Sequence, residues 1–203
     1  MQKEKEKILK LSQVLFLKEG FSHTSMDNIA SSLRISKKTI YKHFESKEFL
    51  LKISVIDFMK SNNNKMKQMI NSDENAVVKA FGLFNFIGMI SLNISDHFIS
   101  DLKNFAPELW KEMDKLRIKF LKENLTKIIE QGKKEGYFID ESSFLIINTF
   151  ISTIRGIVNP EIILRKNISI EKAFIGSMKI LMNGILTSKG KRIFKSLNNG
   201  VGK

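Results

Sequence analysis

Met26–Phe44, MDNIASSLRISKKTIYKHF, is the stretch that decides the fold. Met26, Ile29, Ala30 and Leu33 recur at i, i+3, i+4 and i+7, the spacing of one helical face. Ser25 precedes them as an N-cap, and Asp27 in the first turn favours the positive helix end. Ser36 offers a second N-cap, opening a short helix from Lys37 to about Phe44. Ile40 and Phe44 lie one turn apart and face inward. Lys37, Lys38, Thr39, Tyr41, Lys42 and His43 are left for the other surfaces. The pattern is two short helices and a tight connection, the second helix basic and bearing an outward tyrosine.

Before this stretch, Ile8, Leu11 and Leu15 with Phe16 mark a first helix from about Lys3 to Glu19. Gly20 suits its left-handed end, and Phe21 returns the chain to the core. After it, Ser46 caps a helix from Lys47 to about Asn62. The polar SNNNKMKQMINSDEN that follows marks a weak stretch or a helix end, and a boundary between an N-terminal module and the remainder. Ala76–Ile94 is nearly all apolar and reads as a central buried helix. A shorter piece follows to about Asn104. Pro107 opens a long helix to about Lys134, stopped by Gly136. Asp140 caps a helix running to about Val158, which Asn159-Pro160 breaks. Ser169 opens a last helix, Ile170 to about Thr187. The expected organisation is residues 1–46 as one domain, 47–188 as a second with helix 47–62 connecting the two, and 189–203 as a basic flexible tail. With alternating strand patterns missing, the fold class is all-α.

Composition narrows the function. The 203 residues are 42% hydrophobic and 27% charged, a globular balance. Cysteine is absent, which removes disulfides, thiolate nucleophiles and cysteine-ligated metal. The formal charge of +13 attracts nucleic acid or an anionic membrane. The N-terminus lacks the apolar core of a signal peptide, and no run reaches the roughly 18 apolar residues of a spanning helix. A cytoplasmic protein without membrane insertion is expected. No P-loop, dinucleotide turn, zinc-protease motif or serine-nucleophile motif occurs, so neither an enzyme nor a cofactor is expected. His23, His43 and His97 are scattered. The i, i+4 pair His97 and Asp101 offers at most part of a metal site, and a surface pair is the plainer reading.

Residues Ile8 to Met59 resemble the N-terminal DNA-binding module of the TetR family of transcriptional regulators. Phe16, Gly20, Phe21, Thr24, Ser25, Ile29, Ala30, Ile35, Ser36, Thr39, Ile40, Tyr41, Phe44, Ser46, Lys47, Leu50 and Leu51 carry the resemblance. Its strongest piece is ISKKTIYKHFESKEFLL. Two positions depart from the pattern: Arg34 stands where the turn glycine is common, and Lys38 where a small residue is frequent. The resemblance implies a three-helix helix-turn-helix module followed by a helical ligand-binding and dimerisation domain.

It also implies roles. In a helix-turn-helix the second helix enters the major groove, N-terminal residues first. Ser25, Ser36, Lys37, Lys38, Thr39, Tyr41, Lys42, His43 and Lys47 are the candidate contacts to a double-stranded operator. Thr39, Tyr41 and Lys47 are the most direct carry-overs, while Ser25 and Ser36 serve equally as caps. Lysines alone would be a solvated face. For the effector of unknown identity, the candidate pocket is Phe84, Asn85, Phe98, Trp110, Met113, Arg117, Phe120, Phe144, Asn148, Ile151 and Arg155. Large apolar walls with a few polar groups suit a ligand, while for each aromatic taken alone a plain core is the better reading. The last two helices, about 141–158 and 170–187, resemble the pair that forms a homodimer in the family; without a partner they would be the monomer's own core. The expectation is therefore a ligand-released repressor. The alternative is a basic helical protein on an anionic lipid or membrane surface, and a third class, a nuclease or recombinase, lacks its carboxylate cluster.

Overall fold

The computed structural model describes residues 2–157 and 170–200. Among them are ten helices and no strand, only an isolated antiparallel bridge between Phe138 and Leu186. We number them α1 (Gln2–Glu19), α2 (Met26–Leu33), α3 (Lys37–His43), α4 (Lys47–Ile70), α5 (Ala76–Ser91), α6 (Asp96–Phe105), α7 (Pro107–Lys134), α8 (Ser143–Ile157), α9 (Ile170–Ile185) and α10 (Ser188–Gly200). The all-α expectation holds. The expected break at Asn159-Pro160 and the Ser169 cap lie outside the described residues.

The chain forms two compact units. The first joins Met1–Asn62 with Asn93–Arg117. Its core takes Ile8 and Phe16 from α1, Ile29 from α2, Ile40 from α3, Leu50 and Leu51 from α4, and Phe98 and Leu102 from α6. Gly20 takes φ 91° to end α1, and a β-carbon there would sit 2.7 Å from Asp101 Oδ2. Asp101 is buried and accepts both the Ser22 backbone N–H and its hydroxyl at 2.8 Å, while the Ser95 N–H reaches the Leu17 carbonyl at 2.8 Å. These bonds fix α6 on the turn after α1. Asp101 is thus not the surface residue that its i, i+4 spacing with His97 suggested but a buried acceptor for Ser22.

The second unit comprises Asn63–Leu92 and Ile118–Lys203. Val77, Leu83 and Phe84 of α5 pack with Leu125 and Ile129 of α7, Phe150 and Ile154 of α8, and Phe174, Met178 and Met182 of α9. Three expectations are corrected here. First, α4 does not stop near Asn62 but runs to Ile70. Asn63, Met66 and Ile70 fall on one buried stripe, and Asn63 Oδ1 accepts the Asn124 amide at 3.0 Å, so the polar run keeps its helix. Second, α8 begins at Ser143 rather than after Asp140, with the Ser142 carbonyl accepting the Ile146 N–H at 3.0 Å. Third, residues 189–200 of the expected flexible tail belong to α10, because Phe194 is buried and Ile193 and Leu197 pack on the same core.

Candidate nucleic-acid interface

The helix-turn-helix is built from local chemistry. Ser25 Oγ accepts the Asn28 N–H at 3.0 Å and caps α2. Arg34 closes α2 in the left-handed region, φ 55° and ψ 43°, where its N–H reaches the Ala30 and Ser31 carbonyls. That one residue turns the chain so that Ile35 donates to the Ala30 carbonyl at 3.0 Å. Ser36 Oγ then accepts the Thr39 N–H at 3.1 Å, capping α3, and lies 2.8 Å from the Thr39 hydroxyl. Ile40 and Phe44 are buried, as their spacing predicts. Lys37, Lys38 and Lys42 are exposed, Tyr41 is 43% exposed and Thr39 half-buried. Ser46 Oγ accepts the Phe49 N–H at 3.0 Å, which places Lys47 in the first turn of α4.

Charge partners then sort these residues. Lys37 Nζ lies 2.9 Å from Asp27 Oδ2, and this hydrogen bond holds the ammonium above the usual lysine range. Lys47 Nζ sits 4.0 Å over the Phe21 ring, and partial burial pushes it below the usual range. His43 departs from the expected accessible side: its side chain is only 7% exposed and its Nε2 lies 2.7 Å from Glu4 Oε1. That bond holds the Glu4 carboxyl below its ordinary value. Sequence reading missed Asp27 and Glu4 as partners of α3, since separations of ten and thirty-nine residues follow no helical period. Near the same helices, Lys3, Glu4, Lys7, Ile8, Leu33 and Ile35 line an open groove of about 320 Å³.

The expected effector-pocket residues are divided between the two units. Phe98, Trp110, Met113 and Arg117 belong to the first unit and the others to the second. Trp110 carries Lys103 Nζ at 5.2 Å and the Arg117 guanidinium at 5.7 Å from its ring centre. Arg117 is paired with Asp114 one turn earlier, leaving its Nε buried without a hydrogen-bond partner among the described residues. In the second unit Phe84 stacks on Phe150 at 5.3 Å, Ile151 is buried and Phe120 half-buried. Phe81, Phe84, Asn85, Phe174, Met178 and Lys179 surround a cavity of about 60 Å³. That is far below the roughly 300–1,000 Å³ that encloses a ligand. Phe144, Asn148 and Arg155 are corrected: all three lie exposed on α8, and Asn148 donates to the Phe144 carbonyl at 2.7 Å in its own helix. Helical phase explains this, because Ile147, Phe150, Ile151 and Ile154 already take the inward face.

The outward faces of α8 and α9 are apolar too. Phe144 is 68% and Ile180 74% exposed, with Leu145 and Ile175 also open to solvent. Beside them Gly176 and Gly184 have nothing within 4 Å of where a β-carbon would stand.

Known proteins resemble the chain in the same places. A family model described as "Bacterial regulatory proteins, tetR family" matches residues 8–52. The uncharacterized HTH-type transcriptional regulator YerO of Bacillus subtilis is 44% identical over 69 residues, 34% of this chain and 24% of YerO. The chain thus spans about a quarter of that relative's length. The biofilm operon icaADBC HTH-type negative transcriptional regulator IcaR of Staphylococcus aureus is 29% identical over 145 residues, 62% of this chain and 77% of IcaR. A transcriptional regulator from Saccharomonospora viridis, solved in complex with choline, superposes with a TM-score of 0.71 at 16% identity, covering 92% of this chain and 100% of that one. That last likeness is one of fold.

Proposed function

Because the chain belongs to the TetR family of transcriptional regulators, we propose that it is a homodimeric, non-enzymatic repressor that leaves a near-palindromic operator when a small-molecule effector binds its second unit. The observation that carries the reading is α3: seven residues, capped by Ser36, that spend Ile40 on the core and turn Lys38, Tyr41 and Lys42 outward. A helix so exposed and so basic suits a major groove, with Lys38 and Thr39 toward base edges and Tyr41 and Lys42 toward the backbone. Lys47 adds a phosphate contact at the start of α4, where free N–H groups also favour an anion.

Repression rests on the likeness to IcaR, whose name makes it a negative regulator. Release by an effector rests on the likeness to a fold solved with choline bound. The apolar outward faces of α8 and α9 support the homodimer. The membrane alternative has less behind it, because α10, the basic amphipathic helix, already spends its apolar side on the core. No single helix among the described residues is long and apolar enough to cross a membrane.

The test is selection of duplexes from a random pool, followed by mobility shifts. The wild type retains a palindromic sequence, while Tyr41→Ala and Lys47→Ala each weaken its binding about tenfold or more. Unchanged binding by both variants would remove the assigned face.

A further inference from the structure

Lys37 stands at the start of the reading helix, yet its charge is not free. Its Nζ lies 2.9 Å from Asp27 Oδ2, on the helix before it, whereas Lys38 and Lys42 beside it form no direct ion pair among the described residues, Lys42 feeling Glu4 only at longer range. Both members of the pair are largely open to water, with side-chain exposures of 47% for Lys37 and 67% for Asp27. Ser25 alone accepts the α2 cap bond, so the Asp27 carboxylate has no required task at that cap. It is free to serve as the counterion of Lys37.

We propose that Asp27 is an affinity-setting residue: an internal carboxylate that holds Lys37 as a phosphate would and so restrains the binding of DNA. The inference rests on the reading of α3 as the DNA-facing helix. A DNA phosphate and the Asp27 carboxylate offer one ammonium the same kind of oxygen. Each duplex that draws on Lys37 competes with a partner already in place. The pair is exposed, and exposed ion pairs are weak. The restraint is therefore a few-fold and not a block, the size of effect that tunes an affinity. A protein of net charge +13 gains from such a restraint, because its sequence-independent attraction to DNA is otherwise strong.

The experiment is a double-mutant cycle on the full-length chain: wild type, Asp27→Asn, Lys37→Gln and the double variant. Each is titrated into a fluorescent 30-base-pair random-sequence duplex, about that length being enough for two half-sites, at several salt concentrations. Asp27→Asn tightens binding about two- to fivefold and steepens the log–log salt slope by about 0.9, the counterion release of one more phosphate contact. In the Lys37→Gln background the same substitution changes neither. Tightening that persists there is plain removal of a negative charge and overturns the inference; so does Asp27→Asn binding equal to or weaker than wild type. If the wild type itself ignores duplex DNA at low salt, what fails is the proposed function. Both side chains are exposed, and far-UV circular dichroism of the four proteins verifies that the fold is kept.

Discussion

Arg34 occupies a backbone state that suits glycine. Its φ of 55° makes it the one non-glycine residue with positive φ among those described. The left-handed region brings a β-carbon against the following carbonyl, at about 1–2 kcal/mol per residue. The turn holds because the Arg34 and Ile35 N–H groups both find carbonyls of α2. Arg34→Gly relieves the crowding but makes the unfolded chain more flexible, so the net gain is smaller, about 0.5–1 kcal/mol. Thermal melts of the variant should rise by about 1–4 °C. Arg34→Ala keeps the β-carbon while losing the guanidinium, and should not rise. Equal gains in both variants would place the cost in the arginine's charge instead of its backbone.

At the scale of the element, α3 is too short to persist alone. It has one buried side chain of its own, Ile40, with a cap at Ser36 and an ion pair near each end: Lys37 with Asp27, His43 with Glu4. The Glu4 pair carries a pH signature. The Glu4 carboxyl is held below its ordinary 4.5, first by the hydrogen bond from His43. A carboxyl with a lowered folded value adds stability above the unfolded value, and that part is lost as pH falls through the folded one. Chemical denaturation of wild type and Glu4→Gln should therefore differ above about pH 4.5 and converge below it. A difference that stays constant from about pH 3 to 7 would mean that the carboxylate is not the source. The caps of this element were legible beforehand, because Ser25, Ser36 and Ser46 act on N–H groups within three residues. The ion pairs were not, since Glu4 and His43 meet only once α1 has folded beside α3. The same reason hid α10: its glycines and lysines read as a tail, while the core that Phe194 joins is drawn largely from helices far back in the chain.

For the whole molecule, helix order was readable from apolar spacing, and α8 and α9 stood out as apolar around much of their circumference. Which residues each helix turns inward depends on neighbours the sequence does not reveal. Phe144 therefore looked like pocket lining and is 68% exposed instead. Ile180, at 74%, and Leu145 and Ile175 complete an outward apolar surface, and the open Gly176 and Gly184 leave room for close approach. Covering such a surface with a second copy buries apolar area at about 25 cal/mol per Å². A symmetric pair also supplies two reading heads for half-sites about 34–36 Å apart, which multiplies the weak hold of each head. Ile180→Asp puts a carboxylate into that surface, where a monomer keeps it hydrated and a dimer must desolvate it. Sedimentation should find the wild type dimeric and the variant monomeric at micromolar concentration, with helical content unchanged. Binding to the selected palindrome should fall at least tenfold with α3 intact. A variant that still sediments as a dimer would move the interface away from α9, and a monomer that binds the palindrome undiminished would mean that one head suffices.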